Sequence, residues 1–303
     1  MSASQVVNPL EGLLGMTDGT ELAIQKLYED HRRTGYDKGR TAFLSPTLSE
    51  NLRVDSILSA LEKARTQLAL DLDQIDTRQC LTLVAIPAAS MVALGQRIQA
   101  RLKAVAPNLW LAPASNMHIT LLELVVAKTK LDVEEAIQKL GSGVIERLVG
   151  YPKAHPTLLV RPRLNIDLRG LALSFVPEAR GNEGVAEVAP YTYLHMRRDL
   201  YALAGEAGIT PQARYAVPSA HITLARFVSD EDFVAPTEEE KEKEAAGEKV
   251  AEFVQLVDAI NVELGASDLV WTVGEAGVEL RRGRTWYGGG DVVCRAGGTN
   301  FRW

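Results

Sequence analysis

His118-Ile119-Thr120-Leu121 and His221-Ile222-Thr223-Leu224 are the same tetrapeptide written twice, 103 residues apart. The chain holds only five histidines in 303 residues, so a repeated His-x-Thr is informative where a single copy would not be. Both copies lie in apolar runs that read as β-strands. In an extended strand alternate side chains share a face, so His118 and Thr120 point one way while Ile119 and Leu121 point the other. His221 and Thr223 repeat the arrangement, with Ile222 and Leu224 turned to a core. Two halves related by an approximate twofold axis would bring two imidazoles and two hydroxyls to one cleft.

That set of groups suits a phosphate. An unperturbed imidazole titrates near ~6.5, so at neutral pH one can act as general base and the other as general acid. One activates water and the other protonates the leaving oxygen. The Thr120 and Thr223 hydroxyls can donate hydrogen bonds to the non-bridging oxygens, where charge grows in the transition state. This scheme calls for no metal and no cofactor. The plainer reading of either motif alone is a half-buried histidine without catalytic duty; the duplication is what weighs against it.

The sequence resembles the two-histidine (2H) phosphoesterase superfamily, marked by two H-x-[ST]-x motifs on strands of a duplicated α+β lobe. The flanks agree. Leu81-Thr82-Leu83-Val84-Ala85-Ile86-Pro87 reads as a buried strand, a helix follows from Met91 to Val105, and Asn108 to Met117 leads into His118. The second motif continues to Ala225-Arg226-Phe227, and an Arg three residues after the Thr is similar to the 2′,3′-cyclic phosphodiesterase branch, which includes bacterial RNA-ligase-like proteins. The resemblance covers roughly residues 80 to 296, and the sequence around the C-terminal end looks most like fungal members.

It implies an α+β fold with two duplicated lobes, antiparallel sheets around a central cleft and an N-terminal helical extension. Residues 1–79 would form the extension and 80–303 the phosphoesterase-like domain, with lobe one over about 80–150 and lobe two over about 151–303. The implied activity is metal-independent opening of a 2′,3′-cyclic phosphate, in a nucleotide or at an RNA 3′ end. A nucleotide- or RNA-binding module with little turnover and an RNA ligase-like activity are the alternatives. No P-loop is present to support ATP activation.

Composition permits a sizeable core, with 46% hydrophobic and 24% charged residues. A net charge of −6 disfavours broad binding to nucleic-acid backbones, which needs clustered cations. DNA and membranes are not expected partners, a small nucleotide or RNA end is, and a monomer is expected. Cys80 and Cys294 are too few for a disulfide framework and show no zinc-ligand spacing. The N-terminus lacks a secretory pattern and no run reaches the ~20 apolar residues of a membrane span, so a soluble cytoplasmic or nuclear location is the expectation.

Along the chain, the spacing of Leu22, Ile24, Leu27 and Tyr28 predicts a helix over Glu21–Arg33, and another is read over Ser49–Leu70. Thr34–Pro46, rich in Gly, reads as a turn segment between them, where Tyr36, Lys38 and Arg40 are candidates for a cleft wall. A helix over Leu131–Leu148 is interrupted by Gly141-Ser142-Gly143. Strands follow at 157–160, 165–168 and 171–176, then a helix over Leu194–Ala207. The charged tract 238–244 reads as the solvated start of an amphipathic helix over Val250–Leu264. Near the end, strands at 278–280 and 291–294 flank Arg281 to Gly290, where Trp286 and Tyr287 are candidates for stacking and hydrogen bonding to substrate. Arg226 joins them as a substrate-contact candidate. His31, His155 and His195 lack the His-x-Thr context and read as structural or exposed.

Overall fold

The computed structural model describes residues 8–66, 72–179, 191–212, 216–237 and 239–296. Among the described residues five helices precede the first strand: α1 (Pro9–Gly15), α2 (Glu21–Phe43), α3 (Leu48–Asn51), α4 (Ser56–Thr66) and α5 (Leu72–Ile75). Then come β1 (Gln79–Ala85), α6 (Ala89–Val105), β2 (Leu109–Leu111), β3 (Ile119–Lys128), α7 (Lys130–Ala154), β4 (Leu158–Asp167) and β5 (Gly170–Pro177). The chain closes with α8 (Tyr193–Glu206), β6 (His221–Phe227), α9 (Glu240–Gly265), β7 (Val270–Thr272), β8 (Val278–Gly283) and β9 (Asp291–Arg295).

All strands join one antiparallel sheet, in the order β7-β4-β5-β6-β3-β1-β8-β9, with β2 paired to β6. The expected α+β class with an antiparallel sheet and N-terminal helices is present. The strands do not follow chain order in this sheet. β8 pairs with β1, so the C-terminal strands lie beside the strand that precedes the first motif. A hairpin can pair with any exposed edge of suitable pattern, and its sequence does not say which.

The helix α2 departs most from expectation. Thr20 caps its start, accepting a hydrogen bond from the Ala23 amide, and it runs on through the Gly-rich segment to Phe43. Its stripe of Ile24, Tyr28, Tyr36 and Phe43 is buried and shares one core with sheet residues such as Leu83 and Leu164. Gly39 is there for close approach: a Cβ at that position would lie 1.9 Å from the Ile166 carbonyl oxygen on β4. The expected helix over 49–70 is split instead. Leu52 to Asp55 leaves helical geometry between α3 and α4, and the Asp55 carboxylate caps α4 by accepting from the Leu58 amide at 2.9 Å. Residues 67–70 of that expected helix lie outside the described residues.

The expected Gly-Ser-Gly interruption of α7 is present: Gly141, with φ 65° and ψ 165°, leaves helical geometry, so α7 is two helical stretches joined at a kink. The charged tract supplies the first turns of α9 from Glu240 onward. Among the described residues no helix is long and apolar enough to cross a membrane.

Candidate active site

β3 and β6 meet at a single register pair, Ile119 opposite Ile222. Antiparallel geometry then places His118 across from Thr223 and Thr120 across from His221, with all four on the face opposite the isoleucines. Ile119, Leu121, Ile222 and Leu224 are all buried, which fixes which face each strand turns outward. The four polar side chains line one cavity of about 620 Å³. Local alternation and burial of the apolar partners thus place the repeated motif in one cleft.

Each imidazole is held through Nδ1 by the residue two positions earlier. His118 Nδ1 lies 2.8 Å from the Asn116 backbone carbonyl oxygen, and His221 Nδ1 lies 2.9 Å from the Ser219 hydroxyl. A carbonyl can only accept, so Nδ1 of His118 carries the proton and neutral His118 keeps a lone pair on Nε2. A hydroxyl can donate or accept, so His221 is compatible with either tautomer and with the cation.

Burial is the main influence on both groups and disfavours the charged form. It lowers the His118 pKa to about 4, with the Arg281 and His221 charges pushing the same way and the Asn116 carbonyl opposing. His221 is also lowered, by burial and then by Arg197 and Arg226, against Asp167. Although His221 has an exposed face at the cleft, the protein around it still disfavours its cation.

Arg226, Trp286 and Tyr287 line the same cavity. Two of them converge on Asp55: the Tyr287 hydroxyl donates to Oδ1 at 3.0 Å, and Arg226 Nη1 lies 3.7 Å from Oδ2. The Arg226 guanidinium sits 5.4 Å from the Tyr287 ring centre and that of Arg78 sits 5.2 Å from Trp286. Burial, reinforced by Asp55, pushes the Tyr287 phenol up to about 12, so it remains a donor at neutral pH. The start of α4 and the residue before it therefore contribute a wall of the cleft, through Ile57 and Asp55.

Other candidates fall elsewhere. Of Thr34–Pro46, the cleft receives only Gly35. Tyr36 is buried with its hydroxyl on Asp258, Arg40 Nε reaches the same carboxylate at 3.2 Å, and Lys38 is exposed. Tyr36 and Arg40 thus tie α2 to α9 instead of facing the cavity. His195 Nδ1 accepts from the Thr192 amide at 3.1 Å at the start of α8, and His155 stacks on Tyr151 at 4.0 Å. His31 is exposed on α2, and none of these three lines the cavity.

Several cleft residues escaped the sequence reading: Asp55, Arg78, Arg197 and Ser219, together with a Thr82–Thr285 hydroxyl pair 2.8 Å apart. Ser219 had a signal, because a polar residue precedes each histidine by two positions, Asn116 in one motif and Ser219 in the other. Among the described residues no three His, Cys, Asp or Glu side chains converge as metal ligands.

No family model matches the sequence, and no curated protein matches it. Among solved structures the chain is similar to E. coli LigT complexed with 3′-AMP, at 15% identity over 68% of this chain and 88% of that one, with a TM-score of 0.35. It is likewise similar to E. coli LigT in apo form, at the same identity and coverage and a TM-score of 0.33.

Proposed function

We propose that the protein is a phosphodiesterase that opens 2′,3′-cyclic phosphates, on nucleotides or RNA 3′ ends, by acid/base catalysis between His118 and His221. The observation that carries this reading is the convergence of both His-x-Thr pairs in one cavity, each imidazole anchored through Nδ1 so that Nε2 is the free nitrogen.

His118, neutral and with its lone pair on Nε2, is the base. It takes a proton from water as the water oxygen attacks phosphorus. His221 is the acid: as a cation it donates Nδ1–H to Ser219 and Nε2–H to the ribose oxygen whose bond to phosphorus breaks. A bound phosphodiester anion beside His221 favours that cation and offsets the lowering caused by burial. Thr120 and Thr223 donate to the non-bridging oxygens as their charge grows. The scheme balances with water and two imidazoles, so it includes no metal and no cofactor. Arg226, Trp286 and Tyr287 contact the rest of the nucleotide, and residues 80–303 form the catalytic unit, with Asp55 completing its rim.

The direct test is turnover of a nucleoside 2′,3′-cyclic phosphate by His118→Ala and His221→Ala. Each should lose at least ~10²-fold in kcat, the low end for a lost acid or base, with an unchanged circular dichroism spectrum. Wild-type turnover in either variant would refute the scheme.

A further inference from the structure

Arg197 is almost fully buried, 5% exposed, yet it lines the catalytic cavity. From α8 its guanidinium reaches two separate pieces of the cleft. Nε donates to the Leu121 carbonyl at 3.1 Å, one residue beyond Thr120 on the strand of the first motif. Nη1 donates to the Val217 carbonyl at 2.8 Å, and the same carbonyl accepts from the Ser219 amide at 2.8 Å. Ser219 in turn holds His221 through Nδ1 at 2.9 Å. A continuous chain of hydrogen bonds therefore runs from β3 through Arg197 and Ser219 to the second histidine. Tyr193, one turn earlier on α8, donates to the Thr120 carbonyl at 3.2 Å and adds a second tie to the same strand.

This bracing has a mechanical reason. β3 and β6 share only one register pair, so the ladder itself does little to set their separation along the cleft. A guanidinium is suited to the gap because its donors are fixed in one plane, which a flexible ammonium cannot reproduce.

We infer that Arg197 is a positioning residue for the proposed reaction: it ties the strand of the first motif to the loop that anchors His221, and so fixes the placement of one imidazole relative to the other. Arg197 need not touch substrate to act. Its charge also bears on His221, which faces Arg197 from α8, Arg226 from its own strand, Asp167 from β4 and His31 from α2; among these charges Arg197 is the strongest.

The inference rests on the acid/base reading, so its test combines turnover with a readout that does not need turnover: the ¹⁵N-detected titration of the His221 imidazole. Arg197→Lys keeps the charge and loses the planar fork. It should leave the titration in place while kcat falls about tenfold, the equivalent of one lost hydrogen bond of ~1.4 kcal/mol, with KM little changed. Arg197→Gln removes the charge. It should move the His221 titration upward and carry the alkaline limb of the kcat profile upward with it, because His221 must be protonated to act as the acid.

A merely structural arginine would lower Tm in both variants but leave titration and kcat as in the wild type, and that result overturns the inference. If Arg197→Gln fails to fold, Arg197→Lys decides alone: wild-type kcat would refute the positioning role. Failure of the two readings is distinguishable: a wild-type protein that turns over no cyclic phosphate overturns the proposed function and the inference with it, whereas wild-type turnover with undiminished kcat in Arg197→Lys overturns the inference alone.

Discussion

Around His118 the residue two positions earlier offers a backbone carbonyl to Nδ1; around His221 it offers a hydroxyl. Behind each lies a buried arginine whose Nη1 donates to a backbone carbonyl of the supporting loop, Arg281 to Gly288 at 2.5 Å and Arg197 to Val217 at 2.8 Å. Gly288 presses on Asn116 so closely that a Cβ there would stand 2.1 Å from the carbonyl oxygen that holds His118. The two sites thus share a layout and differ in one acceptor. A carbonyl fixes the tautomer of a neutral imidazole, whereas a hydroxyl tolerates either tautomer, and in the proposed scheme that difference assigns base and acid in an otherwise similar pair.

The largest expected effect breaks the pair apart directly. With a phosphodiester whose leaving group is a nitrophenolate, which needs no protonation, His221→Ala should recover most of its ~10²-fold or greater loss while His118→Ala should not. Equal rescue of both, or rescue of His118→Ala alone, would remove the asymmetric assignment.

Thr120→Val and Thr223→Val should each lower kcat by about 10²-fold, because each removes one donor to developing charge. Steady-state kinetics on folded variants would show whether the two hydroxyls are equivalent; a change confined to KM would mean that they bind the ground state alone.

A smaller effect sharpens the comparison of the two anchors. Ser219→Ala removes the Nδ1 partner of His221 and should lower kcat about tenfold, roughly the ~1.4 kcal/mol of one hydrogen bond. Asn116→Ala leaves the backbone carbonyl on His118 and removes the bonds from Asn116 Nδ2 to the Tyr287 carbonyl, 3.1 Å, and from the Ser115 hydroxyl to Asn116 Oδ1, 3.3 Å, so its kcat should fall less than that of Ser219→Ala. The reverse order would show that the anchors are not what sets the imidazoles.

The pH dependence follows from His118. Its folded pKa, about 4, lies below the ~6.5 of the unfolded chain, so the unfolded state binds more protons between those values. Stability should therefore fall as pH drops from about 6.5 toward 4, and His118→Gln should flatten that part of a urea-midpoint profile. An unchanged slope would show that His118 is not held neutral by burial.

What the sequence made legible was local. Alternation in His-Ile-Thr-Leu assigned faces, and the cavity holds His118, Thr120, His221 and Thr223 together with Arg226, Trp286 and Tyr287. What it concealed depends on long-range placement. Gly39 reads as a turn former because its use in α2, close contact with β4, is a property of the partner strand. The pairing of β8 with β1 is likewise absent from either segment alone. Arg197 and Arg198 are neighbours in sequence, but Arg198 meets Asp199 at 2.6 Å near the surface while Arg197 turns inward. A clue existed, since Arg197 shares helical spacing with Tyr193, Leu200 and Ala204 on the buried stripe of α8.

The most direct test of the account is an assay of EDTA-treated protein on the four nucleoside 2′,3′-cyclic monophosphates, resolving 2′- from 3′-monophosphate, with His118→Ala and His221→Ala alongside. Two-histidine catalysis predicts turnover by the wild type, a single regiochemical product set by which imidazole is the acid, and loss of turnover in both variants. Folded wild-type protein that binds these nucleotides without opening the ring, or variants that open it as fast as the wild type, would contradict it.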